Sequence, residues 1–211
     1  PIMLGVCAAV LAAFADPAAA VGEKISDGVV RIGVMNDLSG PYAYVGGPHS
    51  VYAAQMAIDD FGGKVLGKPI ELLSIDHQNK ADIASNKARE WFDKNKVDIL
   101  GEVAAGATAL AAIKIAKEKN KIVLLSGPAP TRITNEDCTP ITAHWTYDTY
   151  SLATGTARAV VKEGGDSWFF ITADYTFGHS LEKDAADVVK GAGGKVLGSI
   201  RHPFPSADFS S

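Results

Sequence analysis

The feature that most constrains this chain is an alternation of short β-branched runs with amphipathic helical stripes, repeated along most of its 211 residues. Residues 29–34 (VVRIGV) form a compact apolar strand. From Pro48 a helix carries Ala54, Ala57, Ile58 and Phe61 at i, i+3, i+4, i+7 spacing, one apolar stripe that Gly62-Gly63 ends. A strand at 70–75 follows, then a helix to about Asn95 with Ala84, Ala88, Trp91 and Phe92 on one face. Strand 97–100, helix 109–119 and strand 122–125 complete a regular part spanning 24–126. Strands and helices that alternate through short connections predict a parallel sheet covered on both faces, and right-handed crossovers make it doubly wound.

Residues 127–147 break this grammar. They are rich in Pro, Thr and Asn without a sustained period, which predicts a loop and a strand crossing between lobes. The alternation then resumes with helix 150–162, strand 168–172, helix 181–190 (Leu181, Ala185 and Val188 on one face), a Gly193-Gly194 break and strand 195–200. Two strands make a small unit that exposes a sheet edge and one helix face, so the second α/β unit reads as incomplete.

The first segment, PIMLGVCAAVLAAFADPAAA, is apolar and uncharged from Ile2 to Phe14. It is shorter than the about 20 apolar residues a spanning helix needs. Ala18 and Ala20 supply the A-x-A pattern of a secretory cleavage site, so 1–20 reads as a signal peptide lacking its charged n-region. A short buried helix or a lipid-facing anchor is the alternative. The organisation expected is therefore a signal (1–20), an N-terminal α/β lobe (21–145) and the start of a second lobe (146–211). Removal of Cys7 with the signal leaves Cys138 alone, a structural thiol or one paired elsewhere.

The formal net charge of −4 gives no electrostatic footprint for nucleic acid or an anionic membrane. No G-x-G-x-x-G follows the first strand, no G-K-[ST] phosphate loop occurs, and no G-x-S-x-G elbow is present. The five histidines (His49, His77, His144, His179 and His202) are scattered and read as surface or capping residues. An enzyme is thereby disfavoured, and no metal or cofactor is implied. Ligands of an open parallel sheet bind beyond the carboxyl ends of its strands. Three loops there, 36–47 (NDLSGPYAYVGG), 101–108 (GEVAAGAT) and 126–134 (SGPAPTRIT), are Gly/Pro-rich and poor in charge, which frees backbone N–H groups for a ligand. Tyr42, Tyr44, Tyr147 and Tyr150 add aromatic walls with a hydroxyl handle.

The run VRIGVMNDLSGPYAYVGGPHSVYAAQMAIDDFGGKVLGKPIELLSIDHQNKADIASNKA resembles the opening of the type I periplasmic binding proteins, and more narrowly the branched-chain amino-acid receptors of ABC importers. SGPAPTRIT, HWTYDTY and ITADYTFGHSLEKD are similar to that family's pocket loop, interlobe crossing and second-lobe start. The resemblance implies two α/β lobes on a three-segment hinge, closing over a small-molecule ligand. It also implies a monomer that delivers its solute to an inner-membrane ABC permease and ATPase from the periplasm. Carried over by position, the ligand contacts are Tyr42 or Val45, Ala105, Gly106, Ser126, Ala129, Thr131 and Phe177, with Tyr147 and Tyr150 as walls. Amino-acid receptors usually have serine hydroxyls where this chain reads Ala104-Ala105-Gly106-Ala107, so the solute stays open among amino acids, aromatic acids and amides. A secreted sensor built on the same fold is the alternative function.

Overall fold

The computed structural model describes residues 26–209, so the signal-peptide reading of 1–20 lies outside the described residues. The first unit is a six-stranded sheet. Its strands are β1 (Val30–Asn36), β2 (Lys64–Val65), β3 (Lys68–Asp76), β4 (Ile99–Glu102), β5 (Ile122–Leu125) and β6 (Thr142–His144), ordered β2-β3-β1-β4-β5-β6. All neighbours are parallel except the short β2, which pairs antiparallel with β3 at the edge. Three helices lie between strands: α1 (Gly47–Asp60), α2 (Ala81–Asp93) and α3 (Gly106–Lys119).

The core sits between the sheet and the α2–α3 pair. Ala84, Ala88, Trp91 and Phe92 of α2 are all buried, as the helical spacing predicts, and they share a cluster with Met35, Leu100, Val123 and Leu125. Alanines at 109, 112 and 116 of α3 let the two helices approach closely. The Trp91 indole lies on bare backbone: a Cβ on Gly33 would fall 2.5 Å from Trp91 Cζ3. The other sheet face is covered unevenly. α1 packs on β1 and β3, whereas Ile122 and Leu124 of β5 remain 46% and 44% exposed. The α1 stripe is accordingly narrower than its periodicity implies: Ile58 is buried and Ala54 half-buried, but Ala57 and Phe61 are exposed.

The second unit contains α4 (Thr149–Lys162), β7 (Ser167–Ala173), α5 (Thr176–Gly191) and β8 (Lys195–His202), with β7 and β8 parallel. Asp148 begins α4 through a capping box, accepting from Ser151 N at 2.7 Å while its own N–H donates to Ser151 Oγ at 3.2 Å. Trp168 and Phe170 pack on Ala153, Ala157, Ala185 and Val188. The opposite face of β7 carries Phe169 and Ile171, both exposed.

Three sequence expectations change here. The strand inside 127–147 does not cross between units; it is β6, the parallel edge of the first sheet, after which the chain passes to α4. Helix α5 begins at Thr176, five residues before the expected 181, directly on the end of β7: a Cβ on Gly178 would lie 2.1 Å from the Ala173 carbonyl oxygen. Cys138 is an exposed free thiol rather than a buried structural one.

A buried polar cluster joins the units. Thr131, in a single 3-10 turn (Thr131–Ile133) after β5, and Thr149, at the start of α4, both donate their hydroxyls to Asp184 Oδ2 at 2.6 Å. Each hydroxyl also accepts a backbone N–H, Thr131 from Tyr150 at 3.0 Å and Thr149 from Thr131 at 3.1 Å. Thr149 is fully buried and Asp184 nearly so. Asp184→Ala is expected to cost about 1–3 kcal/mol for each hydroxyl left without its acceptor. In urea denaturation, Asp184→Ala and Thr149→Val should be non-additive by about 0.5–3 kcal/mol. Strictly additive losses would mean that the three residues do not act as one unit.

A candidate ligand cleft between the two units

Every loop facing the junction leaves the carboxyl end of a parallel strand, three from the first sheet and two from the second. The first loop is shaped by Asp37, whose fully buried carboxylate accepts from Gly40 N at 2.7 Å and Tyr42 N at 2.9 Å. A Cβ on Gly40 would sit 2.4 Å from Asp37 Oδ1, so a side chain there would displace the carboxylate that shapes the turn. This turn presents the Tyr42 ring to the second unit. Its hydroxyl meets that of Tyr175 at 3.0 Å. Tyr175 stacks on Phe204 with centroids 4.2 Å apart, and Phe204 and Phe177 lie 6.2 Å from Tyr42 and 6.0 Å from Tyr175 respectively. Burial pushes the Tyr42 phenol well above its ordinary range, reinforced by the hydroxyl of Tyr175 and by nearby Tyr147. Tyr42 is a neutral hydrogen-bonding group at any physiological pH.

The second loop follows β4. Glu102 and Val103 adopt consecutive positive φ values of 72° and 50°. Such left-handed non-glycine residues cost on the order of 1–3 kcal/mol each and gather at functional sites. Glu102 accepts hydrogen bonds from Ser50 at 3.1 Å and from Ser126. Ala105 then caps α3 with an extended backbone, without a side-chain bond to the first helical N–H groups. The third loop follows β5. Its Pro128 carbonyl accepts from His144 Nε2 at 2.6 Å, and its Ala129 carbonyl accepts from Thr149 N at 2.8 Å. The two units touch at Gly106, where a Cβ would lie 2.6 Å from Pro130 Cγ and 3.2 Å from Thr176 Cγ2.

The structure thus brings Tyr42, Ala105, Gly106, Ser126 and Ala129 to one end of the first sheet, with Tyr147 near Tyr42. Thr131 is at the same junction, but its hydroxyl is committed to Asp184. Phe177 contributes an edge to the aromatic cluster and also lines a cavity of about 510 Å³ inside the second unit with Trp168, Phe170 and Leu181. Tyr150 stands apart, lining the groove between α4 and α5, and Val45 is 79% exposed. Sequence reasoning overlooked Tyr175, Phe204 and Glu102. The first two follow β7 and β8, so the strand-end rule that singled out the other loops could have found them. No sequence signal marks the positive φ at Glu102.

His77 departs from its expected surface role. It is fully buried, donates its backbone N–H to Asn36 O at 2.8 Å, accepts at Nδ1 from Asn79 N at 3.1 Å and lies 3.5 Å from Thr108 Oγ1. It ties the loops after β1 and β3 to α3. Desolvation holds its pKa below the ordinary value of 6.5, against the opposing pull of Asp37 and Asp76. In the unfolded chain His77 takes up a proton at a higher pH than in the fold. Its contribution to stability is therefore intact above the ordinary value and falls as pH drops through it. Melting curves between pH 7.5 and 5.5 are expected to show a smaller loss in His77→Asn than in the unsubstituted protein; an equal loss would mean that other groups set the acid limit.

Two α/β units that meet over an aromatic-walled cleft at their strand ends define the ligand-trapping fold of the type I periplasmic binding proteins. Residues 29–211 match the family model for periplasmic binding proteins, and the chain belongs to that family. A periplasmic binding protein from Burkholderia mallei is 54% identical, with a TM-score of 0.84 over 86% of this chain and 48% of that one. A branched-chain amino-acid ABC transporter periplasmic ligand-binding protein from Burkholderia xenovorans LB400 is 36% identical, with a TM-score of 0.71 and the same coverage. The Leu/Ile/Val-binding protein homolog 6 of Brucella abortus (strain 2308) is 29% identical over 185 residues, 86% of this chain and 46% of its own length. The chain spans about half the length of the relatives it matches.

Proposed function

We propose that this chain is the ligand-receiving part of an extracytoplasmic solute-binding receptor that serves an ABC importer, and that it binds reversibly without chemistry. The observation that carries the reading is the Tyr42–Tyr175 hydrogen bond inside an aromatic cluster contributed by both units. A contact built from two units on independent sheets exists only while the cleft is drawn together. A solute that touches both sets of loops stabilises that arrangement, because only a ligand with different affinities for the two states can shift them. Residues 21–145 and the unit from 146 onward then act as two lobes, and the strand-end loops offer the small-molecule site. Backbone N–H groups at the uncapped start of α3 and the phenol hydroxyls supply polar contacts. The rings enclose an apolar or aromatic body. Amide N–H and hydroxyl chemistry of this kind suits an amino-acid-like, aromatic-acid or amide solute, and the names of the Burkholderia xenovorans and Brucella relatives are in keeping with the first. Delivery to a membrane permease with its ATPase follows from the family.

The test is a thermal-shift screen of the protein at the full length of its relatives against branched-chain amino acids, aromatic acids, amides and urea. A true solute at 100 times its Kd should stabilise the fold by about 2.7 kcal/mol. Tyr42→Ala should then weaken binding at least about tenfold, because it removes an aromatic contact and a hydroxyl together. A Tyr42→Ala protein that binds with unchanged affinity would move the site away from this cleft.

A further inference from the structure

We infer that Glu102 is the specificity-determining residue of the cleft, receiving a positively charged nitrogen of the solute; the inference rests on the receptor reading above. Position comes first. Glu102 ends β4 in register with Met35 of β1 and Leu125 of β5. Strand order reverses at β1, with β3 on one side and β4 on the other, so the crevice beyond β1 and β4 is the switch point where such sheets take their ligands. Two acids stand there: Asp37 after β1, buried and committed to the Gly40 and Tyr42 N–H groups of its own loop, and Glu102 after β4, which is only half-buried.

The acid is built in rather than incidental. Its backbone and that of Val103 are both left-handed, and its two oxygens are each held by a hydroxyl, Oε1 by Ser50 and Oε2 by Ser126. These donors come from α1 and from the loop after β5, so three separate segments converge on one carboxylate. Space is cleared around it: a Cβ on Gly46 or Gly127 would come within 3.0 or 3.4 Å of Oε1. Hydroxyl donors leave the negative charge intact. Among the described residues no lysine, arginine or histidine forms an ion pair with Glu102; against these loops His77 is held by Asn79 and Thr108 and His144 by the Pro128 carbonyl, and within residues 36–50, 101–108 and 126–132 the basic residues are His49 and Arg132. His49 is exposed and Arg132 is paired with Asp137.

A half-buried carboxylate without a paired counter-charge favours a cation and disfavours a plain carboxylate. The chemical class is therefore a solute with a protonated amine or amidine that hydrogen-bonds the free lone pairs of Glu102. The first sheet reads this nitrogen end, and the residues that follow Glu102 (Ala104, Ala105 and Ala107) offer no side-chain donor to a carboxylate.

The experiment titrates matched pairs by calorimetry into the protein at the full length of its relatives: L-leucine against 4-methylpentanoate, L-phenylalanine against 3-phenylpropionate, and benzylamine against benzoate. The amine-bearing member of at least one pair is expected to bind at least about tenfold more tightly than its partner. Glu102→Gln, which keeps shape and hydrogen bonding, should weaken that member at least about tenfold and leave the amine-free one unchanged. The inference falls if Glu102→Gln melts like the unsubstituted protein and binds the amine equally well, or if both members of every pair bind alike. Should Glu102→Gln not fold, the comparison within pairs on the unsubstituted protein decides alone. Binding of the amine-free acids but not the amines would leave the receptor reading standing and remove Glu102 as selector. Absence of binding by every probe and every solute of the thermal-shift panel would remove both.

Discussion

The geometry of the cleft depends on one buried carboxylate. Asp184 sits on α5 of the second unit, yet its hydrogen-bond donors are Thr131, at the end of the first sheet, and Thr149, where the chain enters α4. Because both hydroxyls are also occupied as acceptors by backbone N–H groups, neither can turn away without orphaning a buried group. The loop after β5, the start of α4 and the middle of α5 are thereby fixed to one another. Tyr42 and Tyr175, meeting at 3.0 Å, form a second contact between the same two units.

The two sets of contacts between the units differ in strength. Hydrogen bonds to a charged group contribute about 1.5–3 kcal/mol each, and those of Asp184 are shielded from water. The Tyr42–Tyr175 bond joins two neutral hydroxyls, and ring contacts of the Phe204 kind contribute about 0.5–1.5 kcal/mol beyond area burial. Under the two-state closure proposed above, the aromatic side yields first and the Asp184 side stays shut. In that proposal the polar joint is the hinge about which the cleft opens. Its mouth is the edge where the tyrosines meet, and ligand contacts added there oppose a cost of only a few kcal/mol.

Elements whose burial follows from local spacing were legible in the sequence. Ala84, Ala88, Trp91 and Phe92 repeat at helical spacing and are all buried, and β5 occupies the residues its apolar run marks. Where burial depends on what lies opposite, the pattern misled. The α1 stripe includes Ala57 and Phe61, but the strip of sheet under α1 extends only over β1 and β3, so those two face solvent. His77 reads as an isolated polar residue, and only the convergence of Asn36, Asn79 and Thr108 makes it a core group. The start of α5 was missed because Tyr175 provides no side-chain cap, the boundary being set instead by the close approach of Gly178 to β7. Tyr42 was legible as a candidate from its loop. The strand-end rule marks Tyr175 as well, but not that the two pair, since a bond between residues 133 positions apart leaves no periodic trace.

The same distinction applies to the loop after β4, which from its sequence reads as small and poor in charge and whose acid stands out only through its setting. Backbone strain is a property of three-dimensional context. Two left-handed residues in succession persist only when surrounding bonds over-determine them, and here the hydroxyls of Ser50 and Ser126 do so from opposite sides. Small residues at 46 and 127 are as necessary as the serines, because a side chain at either would crowd Oε1 or, at 127, press on the backbone of Ala104. A relaxed backbone at 102 would move the carboxylate away from the hydroxyls of Ser50 and Ser126. That such strain is retained at the carboxyl end of a central strand, beside a joint whose own bonds are fully satisfied, places the constraint at the ligand end of the sheet rather than in its core.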